Sequence, residues 1–400
     1  MKKTLFITVL CCASFMFVCA QRNEVSYSRL NNVFQINVKD ATGKMSLKVN
    51  GDVLLGDDDK SIREISRNGF IDYRIKNQTL NIKSDDKGSI TYTVNGVKKT
   101  DLNTEDKALL EQCVETLIDY GIDAADRVRR IFAKNGSAGV LNEVNRFKSD
   151  FVKEMYLSWL LKNQNLSKDE MITLLNKADQ YLGSDYYKSE LLNGVMTSFL
   201  SDEATSEAYL RTVTNIKSDY YQYTTINNLL KTSLNEKQFD EVLAIVDQMK
   251  SDYYQSEVLK NLLNNAAISN NNFPKVMNMA ANMKSDYYKS EIISALLQNK
   301  DIGNDRYSQT IAAMQSIKSD YYQSEILKKL IDENIKDESE WSKLIAYAGN
   351  IKSDSYQSEV LIRIADKMPD SESLKNELTN AAKKIRSDYY YGRVKRVLDK

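Results

Sequence analysis

The sequence predicts a mainly α protein: an α-solenoid of about seven helical hairpins preceded by a small β-rich module. Three observations carry that prediction. Variants of Lys-Ser-Asp-Tyr-Tyr-x-Ser-Glu followed by an apolar pair recur every 33 to 35 residues, with serines at Ser149, Ser184, Ser218, Ser251, Ser285, Ser319, Ser353 and Ser387. Inside each unit the apolar positions follow a helical period, whereas before residue 100 they alternate. A repeat of this length marks supersecondary units that bury their apolar faces only against their neighbours.

The first residues read as a leader. Lys2 and Lys3 precede an apolar run from Leu5 to Val18, and Ala20 supplies a small residue at the break, so residues 1–20 are expected to be a secretory signal cleaved after Ala20. The run is short for a membrane span, and no later stretch approaches one, so no integral span is expected in the mature chain. Bulky Val18 before Cys19 disfavours a lipoprotein signal.

Residues 21–100 form the expected β-rich module. Phe34, Ile36 and Val38 alternate with polar residues, as do Met45, Leu47 and Val49, and again Ile90, Tyr92 and Val94. Asn50-Gly51 and Asn95-Gly96 are turn signals that tolerate positive φ. So few core positions imply that the module leans on helices.

Residues 101–147 read as a helical adaptor. Thr104 is the predicted cap of a first helix stopped by Gly121, and Asp123 the predicted cap of a second that ends at Asn135-Gly136. A third, from about Ser137, leads to Lys148-Ser149.

Residues 148–400 are the expected helical repeats. Counting from the motif serine, offsets 3, 7, 8, 11 and 12 are apolar, as in Tyr254, Val258, Leu259, Leu262 and Leu263. A polar loop such as Ser269 to Asn272 then precedes a second helix, which closes on Ile216, Met249, Met283, Ile317, Ile351 or Ile385. The motif itself reads as punctuation: a cation at one helix C-terminus, a serine N-cap, and an aspartate in the first turn of the next helix, each contributing about 0.5–1 kcal/mol.

Helix phase separates the paired tyrosines. At about 100° per residue, offset 3 falls in the apolar stripe, while offset 2 points away from it. The outward set is Tyr186, Tyr220, Tyr253, Tyr287, Tyr321 and Tyr389, with Ser355 interrupting the row, and Glu190, Glu257, Glu291 and Glu325 lie on the same face. These ten residues are the candidate partner-binding set. Such rings also suit packing against the adjacent unit, with a hydroxyl partner such as Glu257 or Ser256.

Composition excludes much else. The chain has 55 basic and 55 acidic residues, and losing Lys2 and Lys3 with the leader leaves a slight acidic excess. That balance argues against a nucleic-acid partner. Histidine is absent, which removes the usual proton shuttle and the commonest metal ligand. Of the four cysteines, Cys113 alone lies beyond the leader, at helical spacing from Leu110, Val114 and Leu117, as a core thiol would be. Asp252 and Glu257 point about 140° apart on a helix and recur in most units, unlike the single carboxylate pair of a glycosidase. No nucleophile elbow, phosphate loop or zinc-protease motif is present. The expectation is a protein that is not an enzyme and carries no cofactor or metal.

Asp58 to Tyr73, Tyr92 to Gly96 and Tyr120 to Asp150, with the Ser-Asp-Tyr repeats that follow, resemble the extracytoplasmic region of bacterial envelope sensor proteins. Some of those regions are attached to antibiotic-sensor-type membrane metallopeptidases. The strand-rich start also resembles adhesin-like repeats. The resemblance implies an envelope sensing or assembly module, periplasmic or secreted, in a Gram-negative bacterium. Peptidase activity does not carry over, because the zinc-protease motif is missing. The expected function is therefore non-enzymatic binding of a protein partner in the cell envelope. The alternative is a glycan or peptidoglycan bound through the outward tyrosines.

Overall fold

The structure, a computed structural model, describes residues 24–30, 33–40, 43–194, 199–265, 272–297, 304–332, 335 and 337–399. The predicted leader and most of the predicted loop at Ser269 to Asn272 lie outside the described residues. The chain divides into two compact units, Met1–Tyr156 and Leu157–Lys400. An antiparallel β module precedes a mainly helical body, and seventeen α-helices lie among the described residues.

In the first unit, seven strands pair in the order β1 (Glu24–Leu30), β2 (Val33–Asp40), β3 (Gly43–Asn50), β6 (Phe70–Ile75), β7 (Gln78–Ser84), β8 (Ile90–Val94) and β9 (Val97–Lys99). A separate hairpin of β4 (Val53–Leu55) and β5 (Ile62–Ile65) interrupts this meander. The alternation read from the sequence puts Ile36, Leu47, Val49 and Val94 in the core, joined by Ile71, Tyr73, Leu80 and Ile82. Asn95 and Gly96 both take positive φ in a two-residue turn closed by Val94 and Val97.

Helix α1 (Thr104–Asp119) buries Leu109, Cys113, Val114 and Leu117, and the Thr116 and Tyr73 hydroxyls hydrogen-bond at 3.3 Å between helix and sheet. Cys113 is the expected core thiol, and burial pushes its pKa far up. The expectation at Thr104 is corrected by one residue. The cap is Asn103, whose side chain accepts from the Asp106 amide while Asp106 returns the bond to the Asn103 amide.

Helix α2 (Ala124–Glu143) contains the predicted break as a kink at Gly136, which has φ 61°. Asp123 does not cap it. Held in the left-handed region, Asp123 turns its carboxylate to the Leu55 amide (2.9 Å) and to Arg130 (3.2 Å). Helix α3 (Asp150–Asn163) then begins at the first motif aspartate.

In the second unit, leading helices start at each later motif aspartate: Asp185–Asn193, Asp219–Leu229, Asp252–Asn265, Asp286–Leu297, Asp320–Ile331, Asp354–Lys367 and Asp388–Leu398. Trailing helices alternate with them: Lys168–Tyr181, Glu203–Thr214, Glu236–Asp247, Phe273–Asn282, Asn304–Met314, Glu338–Ala348 and Glu372–Ala382. Each leading helix packs on the leading helix of the next unit, and trailing helices pack both on trailing neighbours and on the leading helices beside them. The predicted stripe is buried, with Val258, Leu259 and Leu262 at most 1% exposed. The closing residues Ile216, Met249, Met283, Ile317, Ile351 and Ile385 are also buried, but they sit just past the helix ends, in the connecting turns.

The motif serine is not a working cap. Ser218, Ser319, Ser353 and Ser387 occupy the N-cap position with no side-chain cap bond. The aspartate does the work instead, and it does so between units. Asp286 Oδ2 accepts from the Lys318 and Ser319 amides at 2.8 Å each. Asp252 accepts from Lys284 and Ser285 at 2.7 Å, and Asp219 from Lys250 (2.9 Å) and Ser251 (2.7 Å). Asp185 takes Lys217 and Ser218, while Asp320 and Asp354 take Ser353 and Ser387. Four trailing helices are capped conventionally, by Ser167, Asp202, Asn235 and Asp337, whereas Asn272 and Ser371 make no side-chain cap bond.

Candidate functional site

Two constellations stand out, one in each unit. The first is the row of outward tyrosines. Tyr186, Tyr220, Tyr253, Tyr287 and Tyr321 are 44–48% exposed and Tyr389 is 66% exposed, the exposed large hydrophobic side chains among the described residues of the helical body. The offset-3 tyrosines, including Tyr221, Tyr254, Tyr288, Tyr322 and Tyr356, are half-buried at the margin of the core rather than inside it.

The two sets interlock. Tyr253 meets Tyr254 of its own helix at 5.0 Å and Tyr288 of the next unit at 6.1 Å, both edge-on. The same pair of contacts recurs at Tyr186, Tyr220, Tyr287 and Tyr321, giving an unbroken ladder of rings from Tyr187 to Tyr356. Exposure and packing against the adjacent unit are thus both real. The ring sandwiched between two neighbours still shows nearly half its surface.

The hydroxyl partner expected at Ser256 is not found. Ser256 donates to the backbone carbonyl of Tyr253, as Ser290 and Ser324 do to Tyr287 and Tyr321. The carboxylates are placed as follows. Glu190 is exposed, and Glu257 and Glu325 form ion pairs with Lys260 and Lys328 on their own helices. Burial works against the charge of Lys260, but the Glu257 bond and the nearby Glu291 carboxylate outweigh it and raise its pKa. The stripe therefore carries aromatic surface with locally paired charge. Asp252, the other half of the carboxylate pair considered above, faces the amides of the next unit.

The second constellation joins two stretches far apart in sequence. Arg127 of α2, 2% exposed, binds Asp59 of the β4–β5 loop through Nε (3.0 Å) and Nη2 (2.7 Å). It also donates to Glu143 (2.7 Å) and to the Tyr156 hydroxyl (2.9 Å). Burial alone would lower its pKa. The Asp59 bond, then Tyr156 and Glu143, more than reverse that. Arg130 continues the network to Asp57, Asp59 and Asp123, and burial holds the Asp123 carboxyl above its ordinary value. Asp59 lies in the stretch Asp58 to Tyr73, and Arg127 in Tyr120 to Asp150, so residues far apart in the chain meet here. Sequence reasoning missed this cluster. Its only signal was an arginine on the apolar phase of a helix.

No family model matches the chain, and no curated protein matches it. Among solved structures it is similar to a chain from the computational design of self-assembling cyclic protein homooligomers. That likeness has 10% identity, covers 71% of this chain and 93% of that one, and has a TM-score of 0.12, too low to carry an argument. The class defined by the fold itself is a helical-repeat protein with an N-terminal antiparallel β module. No described helix is long and apolar enough to cross a membrane.

Proposed function

We propose that this chain is a non-enzymatic binding protein of the bacterial cell envelope, an α-solenoid whose leading-helix face docks a protein partner. One observation carries the reading: five successive leading helices each present a tyrosine 44–48% exposed, at an equivalent position, on one continuous ladder. Exposed, aligned aromatic rings supply large contact area with few rotamers to freeze, and aromatic residues dominate the energetics of interface centres. The clamped junctions support the face by fixing each leading helix to the next. Periplasmic or secreted placement rests on the leader-like first twenty residues, and a sensing or assembly role on the resemblance.

The test is affinity capture from envelope extract, beside a variant with Tyr186, Tyr220, Tyr253, Tyr287, Tyr321 and Tyr389 changed to serine and shown by circular dichroism to fold. Capture of one defined protein by the parent and not by the variant is the expected result. Equal capture by both moves the site off the tyrosine face. Capture of no protein, with retention on peptidoglycan, replaces the protein partner with a glycan.

A further inference from the structure

The last leading helix, Asp388–Leu398, departs from its counterparts, and each departure adds positive charge. Counting from the motif serine, offset 6 is glutamate in five of the six repeats from Ser184 to Ser353, and Arg393 in the last. Offset 8 is a buried leucine or isoleucine in all six, from Leu192 to Leu361, and exposed Lys395 in the last. The third and fourth residues before the serine are never cationic in those six repeats, whereas the last has Lys383 and Lys384. Arg386 and Arg396 complete the set. Of the chain's 55 basic and 55 acidic residues, residues 383–400 hold seven and two, so the remainder has five more acids than bases.

These charges are not neutralised within the molecule. Among the described residues, none of the six cations forms an ion pair. Lys383 donates to Asn380 Oδ1 (3.3 Å), Lys384 to Asn350 Oδ1 (3.2 Å), Arg386 to the Lys352 carbonyl (3.3 Å) and Arg396 to the Gly392 carbonyl (3.2 Å), all uncharged acceptors. Five of the six are exposed and Arg393 is half-buried. The carboxylates nearest in the chain are half-buried Glu377 and exposed Asp388 and Asp399. Solubility does not explain the pattern. An uncovered face needs charge, but either sign serves, and interspersed signs serve best. Arginine in place of glutamate beside other cations adds repulsion without adding polarity.

We infer that this helix and the turn before it are a peripheral docking surface for an anionic membrane, separate from the five-ring tyrosine row. A cluster of about four to eight cations holds a protein to anionic lipid headgroups, each strengthening the partition about fivefold. Tyr389, 66% exposed, and half-buried Tyr391 lie among the cations, and tyrosine favours the headgroup level, where its ring and hydroxyl meet different surroundings. The apolar side of the helix is already in use: Val394 is buried, and the helix packs on Asp354–Lys367. Contact is therefore electrostatic and reversible, without insertion of the helix. A long soluble polyanion suits this distribution less, because beyond the patch it would run onto a chain with excess acid.

The test is cosedimentation of the full chain as exported, without its leader. Vesicles are of phosphatidylcholine alone or with an equal share of phosphatidylglycerol, at about 0.1 M salt. The parent should partition onto the anionic vesicles and be released at about 1 M salt, where the Debye length shrinks to about 3 Å. The triple change Arg393→Gln, Lys395→Gln and Arg396→Gln should weaken that partition about a hundredfold and melt like the parent. Lys383→Gln with Lys384→Gln, outside the helix, gives a second reading at about twenty-fivefold. Lys250→Gln, Lys284→Gln and Lys318→Gln remove as many exposed cations from internal repeats and should leave the partition within about twofold. Equal binding to both kinds of vesicle overturns the proposal. So does a partition that the patch variants leave intact, or an equal loss in the internal triple variant. Retention on dextran sulfate without binding to anionic vesicles gives the patch to a soluble polyanion and overturns it too. Every tyrosine is kept in these variants, so failure here leaves the protein-binding face standing, and failure of that face leaves this surface standing.

Discussion

Asp286→Ala tests the junction between units. In the native chain Asp286 Oδ2 holds two amides at 2.8 Å, Lys318 and Ser319, and the change removes both bonds together. A hydrogen bond to a charged group contributes about 1.5–3 kcal/mol, and less where water can replace it, as at exposed Lys318. The expected loss is about 2–4 kcal/mol, which at a urea m-value of about 3 kcal/mol/M lowers the midpoint by about 0.7–1.3 M. Ser319→Ala is the control. Its hydroxyl makes no cap bond, so it should cost under about 0.5 kcal/mol, where a working cap would cost about 1. Far-UV circular dichroism follows the urea transition, and amide exchange at Ser319 reports the junction locally. A serine change as costly as the aspartate change would refute the clamp. So would unaltered exchange at Ser319 in Asp286→Ala.

Arg127→Met should destabilise the first unit by about 3–5 kcal/mol, because Asp59 and Glu143 lose their buried partner. A thermal melt showing a near-neutral variant would exclude a structural role for that network. Leu262→Ala should cost about 2–5 kcal/mol as a core truncation, against about 1–2 for Tyr253→Ser, which loses two edge contacts but no buried volume. The reverse order in denaturant melts would contradict the helix phase. The pH dependence concerns Asp106, whose pKa the Lys99 bond and then the Asn103 amide hold below its ordinary value. Its folded form resists protonation more than the unfolded chain does. Its stabilisation is therefore complete above the ordinary carboxylate range and is lost as pH falls through the depressed folded value. The stability gap between parent and Asp106→Asn should shrink on acidification; a gap that widens in acid would overturn that assignment.

The helical body was legible because hydrophobic period and repeat are carried by the chain itself: Val258, Leu259 and Leu262 had to share a face, and Tyr253 had to oppose it. The β alternation at Ile36, Leu47 and Val49 was legible for the same reason. What escaped was every bond made between distant residues. Ser-Asp at a helix start reads as a cap by local rules, yet Asp286 serves amides 32 and 33 residues ahead. That geometry exists only once the next unit is stacked. Arg127 looked like an ordinary helical arginine until the β4–β5 loop brought Asp59 to it. The tyrosine ladder lay between these cases: phase separated inward from outward rings, while the contact of each outward ring with the next unit needed the packing.

The two devices at each junction differ in how far they are needed for stacking, and the difference bears on function. The Asp clamp persists where the ladder does not. Among the described residues, Ser355 leaves Tyr390 with only Tyr389 of its own helix as a ring neighbour, yet Asp354 still holds the Ser387 amide at 2.9 Å. The helices Asp354–Lys367 and Asp388–Leu398 still pack on each other. A junction can therefore form without the outward ring. If the rings served stacking alone, smaller residues would do at the other junctions as well, and tyrosine would be a poor choice there because it leaves nearly half of a large apolar surface in water. That contrast is the ground for proposing a partner on the five-ring row that precedes this interruption.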